Sequence, residues 1–205
     1  MIEAISAFFK IIIDITNILV VLMSSCAAIY KSVDPRNFNY DDTDKKAEVA
    51  YDYQTSVFAI TGNKYYAKKG YKYGIDIIAV KVKNNTDEVI NVKRDVQFQA
   101  GGKKVSPMDV YEVVDILRQK NIGFYLFYSL LFLDVNTPSL DATIPIGAAI
   151  GVGNIAAANS NSKFKNNFIE DDLMNKSIQP GETIYGLVAF RGLGAGKLEI
   201  KLDEE

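Results

Sequence analysis

The sequence predicts a mainly β fold with an α insertion, namely an antiparallel β-sandwich interrupted by helices. Three observations predict it. Apolar residues alternate with period two near both ends of the chain, turn-forming residues separate those runs, and the middle switches to helical spacing. The 205 residues suit one domain with an insertion, and 48% hydrophobic residues suffice to bury a core. The single cysteine forbids an intramolecular disulfide, so packing must stabilise the fold.

The chain opens with an apolar run, Ile11 to Met23 (IIIDITNILVVLM), preceded by Lys10 and followed by Ser24, Ser25 and Cys26. A positive residue, an apolar stretch and small residues are the parts of a secretory signal. Leu22-Met23-Ser24-Ser25-Cys26 resembles the lipobox of bacterial lipoproteins. The resemblance covers only the first 26 residues. It implies that residues 1–25 are a removed signal peptide and that Cys26 carries a diacylglyceryl group and heads the mature chain. Such a chain lies in the bacterial cell envelope, and Ala27 in place of an aspartate favours the outer membrane. The residues themselves keep an alternative open. Glu3, Lys10, Asp14 and Asn17 share one helical face, so an amphipathic N-terminal helix with Cys26 as a packing residue is the other reading. Asp14 and Asn17 interrupt the roughly 20 apolar residues that a spanning helix needs.

Residues 26–46 read as a lipidated N-terminus and polar linker, with one proline and no periodicity. Asp41, Asp42 and Asp44 lack the spaced oxygen ligands and central glycine of a calcium loop, which makes them a solvated turn. The domain proper is expected over 47–205. Val49, Tyr51, Tyr53 and Thr55 alternate, as do Ile75, Ile77 and Ala79, with Val80 and Val82 less strictly placed. Val89 to Phe98 (VINVKRDVQF) reads as another strand, and TIYGLVAF and KLEIKL supply two near the C-terminus. Asn84 to Asp87, Ala100 to Lys103, Gln179 to Glu182 and Gly192 to Gly196 are the turns, the last read as a hairpin. Strands at both ends of the chain should close one sandwich.

Between them, residues 107–176 read as a helical insertion. Val110, Val113, Val114 and Leu117 have helical spacing, with Ser106 as cap and Pro107 in the first turn. Ile122 to Leu133 and Ile144 to Asn159 are uncharged runs, which predict an apolar helical hairpin over 122–158. Phe164, Phe168, Leu173 and Met174 suggest a further amphipathic helix.

The strand ending in VKNNTDE (Val82 to Glu88) and the late PGETIYGLVAF (Pro180 to Phe190) resemble the immunoglobulin-like sandwiches of exported bacterial proteins. That resemblance implies an architecture and no particular activity.

Net charge is −2, which argues against a general nucleic-acid binder. Removing residues 1–25 takes away one basic and two acidic residues, leaving 22 and 23 and a nearly neutral chain. The absence of histidine removes the usual general base and a common metal ligand, and no cofactor is implied. Gly151 to Ala156 matches G-x-G-x-x-A formally, but without the surrounding βαβ unit. Gly192 to Lys197 fails as a phosphate loop because Arg191 and Leu198 replace the required glycine and hydroxyl residues. Glu170, Asp171 and Asp172 diverge around a helix and cannot share one site. A Ser–Lys dyad stays open, with no residue pair indicated.

Two binding surfaces remain. Phe124, Tyr125, Phe127, Tyr128 and Phe132 would form an apolar surface for a membrane or another envelope protein, unless the hairpin buries itself. Thr61 to Gly74 (TGNKYYAKKGYKYG) holds four lysines and four tyrosines without an acid. It reads as a Lys/Tyr loop for glycan, anionic lipid or single-stranded nucleic acid, with Lys68, Lys69, Tyr71 and Tyr73 as ligand-binding candidates. Its alternative is a solvated β-hairpin. The expectation is therefore a non-enzymatic, lipid-anchored interaction subunit, with a carbohydrate- or lipid-binding module as the second reading. In the second, the ligand meets the Lys/Tyr loop or a cavity under the helices.

Overall fold

The computed structural model describes residues 27–40, 47–120, 132–137, 140–194 and 196–203, with the stretch 132–154 given by its backbone alone. Cys26, the apolar run before it, the Asp41–Asp44 turn and Phe124 to Tyr128 lie outside the described residues. The chain divides into two compact units, Tyr30–Arg118 with Asn161–Glu205, and Met1–Ile29 with Gln119–Ser160. Helix and antiparallel sheet have comparable shares, so the fold is mixed and not mainly β.

In the first unit, β1 (Val49–Gln54), β2 (Ile75–Asn84) and β9 (Thr183–Arg191) form an antiparallel sheet in the order β1-β2-β9. A second antiparallel sheet has the order β10-β4-β5, from β4 (Val96–Ala100), β5 (Lys103–Val105) and β10 (Leu198–Leu202). A short pair joins β3 (Ile90–Asn91) to β8 (Ser177–Ile178). The helices are α1 (Val57–Ile60), α2 (Lys64–Tyr73), α3 (Val92–Asp95) and α4 (Val110–Leu117).

β2 explains why its alternation looked imperfect. Ile75, Ile77 and Ala79 point into a cluster with Phe58, Tyr66, Leu117, Phe164 and Phe168 from the helical side. Ile78, Val80 and Val82 point the other way and meet Phe98, Leu198 and Ile200 of the second sheet. β9 does the same, with Leu187 and Ala189 on one side and Val188 and Phe190 on the other. A strand buried on both faces reads as a continuous apolar run, because neither face is left for polar residues. Each fully buried Val or Ile contributes about 1.5–3 kcal/mol relative to exposure.

β9 is also covered along its outer edge. Met108 N–H donates to the Ala189 carbonyl at 2.8 Å and Leu187 N–H donates to the Asp171 carbonyl at 2.7 Å. Pro107 and Asp172 make isolated bridges to Phe190 and Leu187. Edge groups so paired cannot recruit another strand. Across the interface, Leu198 N–H donates to the Tyr53 hydroxyl at 3.1 Å, and the Tyr51 hydroxyl donates to the Leu198 carbonyl at 3.4 Å. These tyrosines join β1 of one sheet to β10 of the other.

Several expectations are corrected. The run from Val89 to Phe98 is not one strand, because Val92–Asp95 turns helical. Asn91 caps that turn by accepting from Arg94 N–H at 3.2 Å, and Asp95 accepts from Asn91 N–H at 2.7 Å. The pair acts as a reciprocal capping box. Gly192 to Gly196 is no hairpin turn, since β9 and β10 belong to different sheets and the chain crosses between them there. Gly196 passes so close to the β4–β5 turn that a Cβ would lie 2.9 Å from Gly101 N. The helix predicted near 110–117 is present with all four predicted residues buried. Its cap is Asp109, which accepts from Tyr111 and Glu112 N–H, and not Ser106.

In the second unit the insertion is not wholly helical. β6 (Phe132–Thr137) and β7 (Leu140–Pro145) pair as an antiparallel hairpin, with Phe132 opposite Pro145. Within the helical hairpin expected over 122–158, residues 132–137 and 140–145 are thus strand. α5 (Ile146–Glu170) follows directly and runs from this unit into the other. The G-x-G-x-x-A match lies inside α5, with no strand-to-helix turn to hold a phosphate. Ala157 and Ser160 are buried here, and Gln119 takes both the N–H (3.0 Å) and the carbonyl (2.5 Å) of Ala28.

Candidate functional site

The Thr61–Gly74 segment is neither a loop nor a hairpin. Residues 64–73 form α2. The run KYYAKKGYKY has no β-branched residue, and Lys and Ala are strong helix formers, so locally only Gly70 weighs strongly against helix. Gly74 ends the helix at φ 62, where its N–H closes on the Gly70 and Tyr71 carbonyls. Tyr66 and Gly70, one turn apart, face the core. Gly70 must be glycine, because a Cβ would lie 2.9 Å from the Ile75 carbonyl oxygen of β2.

Burying that stripe turns the opposite stripe to solvent. Lys64, Lys68, Tyr71 and Lys72 occupy positions i, i+4, i+7 and i+8, which is one helical face, and all four are exposed. Tyr71 is 92% exposed. Lys31 is exposed near the start of the helix, as its Nζ would lie 3.2 Å from a Cβ on Gly62. Among the described residues no carboxylate pairs with Lys31, Lys64, Lys68 or Lys72.

The four predicted binding residues therefore separate. Lys68 and Tyr71 lie together on the exposed face. Lys69 turns away, stacks over the Tyr65 ring at 5.6 Å and donates to the Arg118 carbonyl. Tyr73 is partly covered, with Lys72 Nζ 5.5 Å from its ring centre. Lys64 and Lys72, outside the predicted set, share that face at a four-residue spacing from Lys68 that the sequence displays. Lys31 carried no sequence signal.

What positions Lys31 is a side-chain amide. Asn63, which precedes α2, accepts from Lys31 N–H at 2.8 Å and donates to the Lys31 carbonyl at 2.9 Å. It also donates to the Thr61 hydroxyl at 2.8 Å. Two residues on, Asn167 of α5 treats Val33 alike, at 2.7 and 2.9 Å, and accepts from the Tyr30 hydroxyl at 2.7 Å. Tyr30 and Val33 are buried, and the Tyr30 ring meets Phe58, Tyr66 and Phe164. Burial pushes the Tyr30 phenol far above its ordinary range, so it stays a protonated donor to Asn167. Residues 30–40, expected to be linker, are thus docked into the fold.

Elsewhere, two clefts open beside β1 and β10. One of about 540 Å³ is lined by Glu48, Gln97, Gln99 and Lys201, and its neighbour of about 740 Å³ by Glu48, Asp87, Glu88 and Arg94. They lie at the sheet edge and not under the α2–α4–α5 helices. The acids there are partly engaged: Asp95 pairs with Arg94 at 2.5 Å and Asp203 with Lys104 at 3.6 Å. Among the described residues no group of three or more Asp, Glu or Cys side chains has metal-binding geometry. Among them, too, no helix is long and apolar enough to cross a membrane.

Of the apolar docking residues, Phe132 begins β6, and Phe124, Tyr125, Phe127 and Tyr128 fall outside the described residues. Comparison with protein-family models, with curated proteins and with solved structures found no match.

Proposed function

We propose that the chain is a non-enzymatic lipoprotein of the bacterial cell envelope, anchored through Cys26 and acting as an interaction subunit. Its two sheets are read as a reduced immunoglobulin-like sandwich with helices laid on one face. The observation that carries the proposal is the docking of Tyr30 and Val33 just after the lipobox-like sequence. Four peptide steps separate Cys26 from Tyr30, which is a reach of about 14 Å at most. Acyl chains on Cys26 would hold the folded unit directly at the bilayer and not on a long tether. Each buried methylene adds about 0.8 kcal/mol, so several chains anchor stably. Mass spectrometry of the membrane fraction tests this. The expected N-terminus is Cys26 carrying diacylglycerol, and an unmodified chain beginning at Met1 overturns the reading.

A second reading, a lipid- or carbohydrate-binding module, is supported by the single exposed face of α2 that gathers Lys64, Lys68, Tyr71 and Lys72.

A further inference from the structure

We propose that the exposed face of α2, which gathers Lys64, Lys68, Tyr71 and Lys72, is a docking surface for the anionic headgroups of a lipid bilayer. The proposal rests on reading α2 as a binding face and does not depend on a lipid at Cys26. Lys64, Lys68 and Lys72 are spaced one turn apart, about 6 Å each along the axis, so their ammonium groups line a strip about 12 Å long. No described carboxylate neutralises them, although the whole chain carries more acid than base. Three unneutralised positive charges therefore line one helix face, and its complement is a negative surface.

The shape of the face selects among negative partners. It is the convex side of a single helix, which a plane of headgroups meets at every lysine simultaneously. A sugar would need a concave site with several fixed hydrogen-bonding groups. Single-stranded nucleic acid would need a row of aromatic rings for successive bases. Tyr71 is the one aromatic residue on the same stripe as the three lysines, Tyr73 lying beside Lys72 and half covered, and at 92% exposure the Tyr71 ring is free to enter the headgroup layer. Tyrosine favours that layer because its body is apolar and its tip is polar. Lysine stems lie along such a surface while their charges stay in water. The covering of the opposite stripe, Tyr66 and Gly70, keeps the helix from rotating.

The test uses the full chain with Cys26→Ser, so that no thiol can be lipidated. Sedimentation is compared on vesicles of phosphatidylcholine alone and of phosphatidylcholine mixed with phosphatidylglycerol. The readout is the difference between the two, which cancels any contribution of the apolar run 11–23. Each lysine near an anionic surface is worth roughly fivefold in partitioning. The triple variant Lys64→Gln/Lys68→Gln/Lys72→Gln should thus lose roughly a hundredfold of the phosphatidylglycerol-dependent binding. High salt should abolish it in the parent. Lys69→Gln, whose ammonium is engaged with Tyr65 and Arg118, should change it much less. Because Lys64, Lys68 and Lys72 are exposed, circular dichroism and the urea midpoint of the triple variant should match the parent. Equal phosphatidylglycerol binding by parent and triple variant overturns the proposal, as does tighter binding of the parent to a thymidine oligonucleotide than to the vesicles. A free thiol found at Cys26 by mass spectrometry would end the anchor reading and leave this measurement unaffected.

Discussion

Asn167 holds Val33 as a neighbouring strand would: its Oδ1 accepts from the Val33 N–H at 2.7 Å and its Nδ2 donates to the Val33 carbonyl at 2.9 Å. The same amide accepts from the Tyr30 hydroxyl at 2.7 Å and donates to Asp171 Oδ2 at 2.7 Å, which completes its hydrogen-bonding capacity. One side chain on α5 thereby stands in for a strand along residues 30–33. Replacing it leaves buried partners unsatisfied, at about 1–3 kcal/mol for each that water cannot reach. Asn167→Ala should lower the unfolding free energy by about 2–4 kcal/mol in urea. It should also open the Lys31 peptide bond to trypsin under native conditions.

Phe164 sits at the centre of the aromatic cluster, fully buried, with ring centres of Tyr66 at 4.8 Å, Tyr30 at 5.4 Å and Phe58 at 5.8 Å. It joins α5 to α1, α2 and the docked N-terminal segment. Phe164→Ala should cost about 3–5 kcal/mol, from lost transfer energy and the cavity left behind. Phe164→Leu should cost clearly less by the same urea measurement.

Two glycines separate close approach from backbone conformation. A Cβ on Gly186 of β9 would lie 2.8 Å from Leu173 Cβ and 2.9 Å from both the Asp171 carbonyl oxygen and Leu173 Cα. These are backbone or near-backbone atoms and cannot swing aside. Gly181, at φ 76, faces open space and serves the turn into β9. Gly186→Ala should therefore destabilise by about 3 kcal/mol through overpacking. Gly181→Ala should cost only about 1–2 kcal/mol, for the left-handed backbone. Thermal denaturation that reverses this order would refute the packing argument.

Asp172 is buried at the end of α5, where desolvation raises its carboxyl above the ordinary carboxylate range although it accepts from Met174 N–H at 3.1 Å. A raised folded-state value means that the fold favours the protonated form. This contribution to stability is complete below the ordinary range and is lost as pH rises through the raised value. Asp171, raised for the same first reason, acts in the same direction. Asp172→Asn removes the titration, so its stability relative to the parent should improve as pH climbs from strongly acidic toward neutral. Urea midpoints across that range check the sign, and an advantage that shrinks with rising pH would refute it.

What was readable from residues alone was local geometry. Val49, Tyr51 and Tyr53 alternate because together they pack on the core shared with the second sheet, and Val110, Val113, Val114 and Leu117 recur because α4 buries one stripe. Gly101 and Gly102, both at positive φ, fall in the predicted turn between β4 and β5. The signal for α2 was present in Lys64, Lys68, Lys72 and the closing Gly74, but interleaved tyrosines made it resemble a hairpin. The exposed face of that helix could be listed by composition, and only the burial of Tyr66 and Gly70 decided which lysines share it.

By itself, then, the sequence determined β1, β2, β9, β10, the β4–β5 turn and α4, because period and turn chemistry arise within a few residues of backbone. Tertiary structure alone decided that β9 and β10 part into different sheets, that both faces of β2 are covered, and that Tyr30 and Val33 dock. Those outcomes depend on hydrogen bonds and burial between segments far apart in the chain, such as Asn167 with Val33, and such pairings leave no periodic trace at either end.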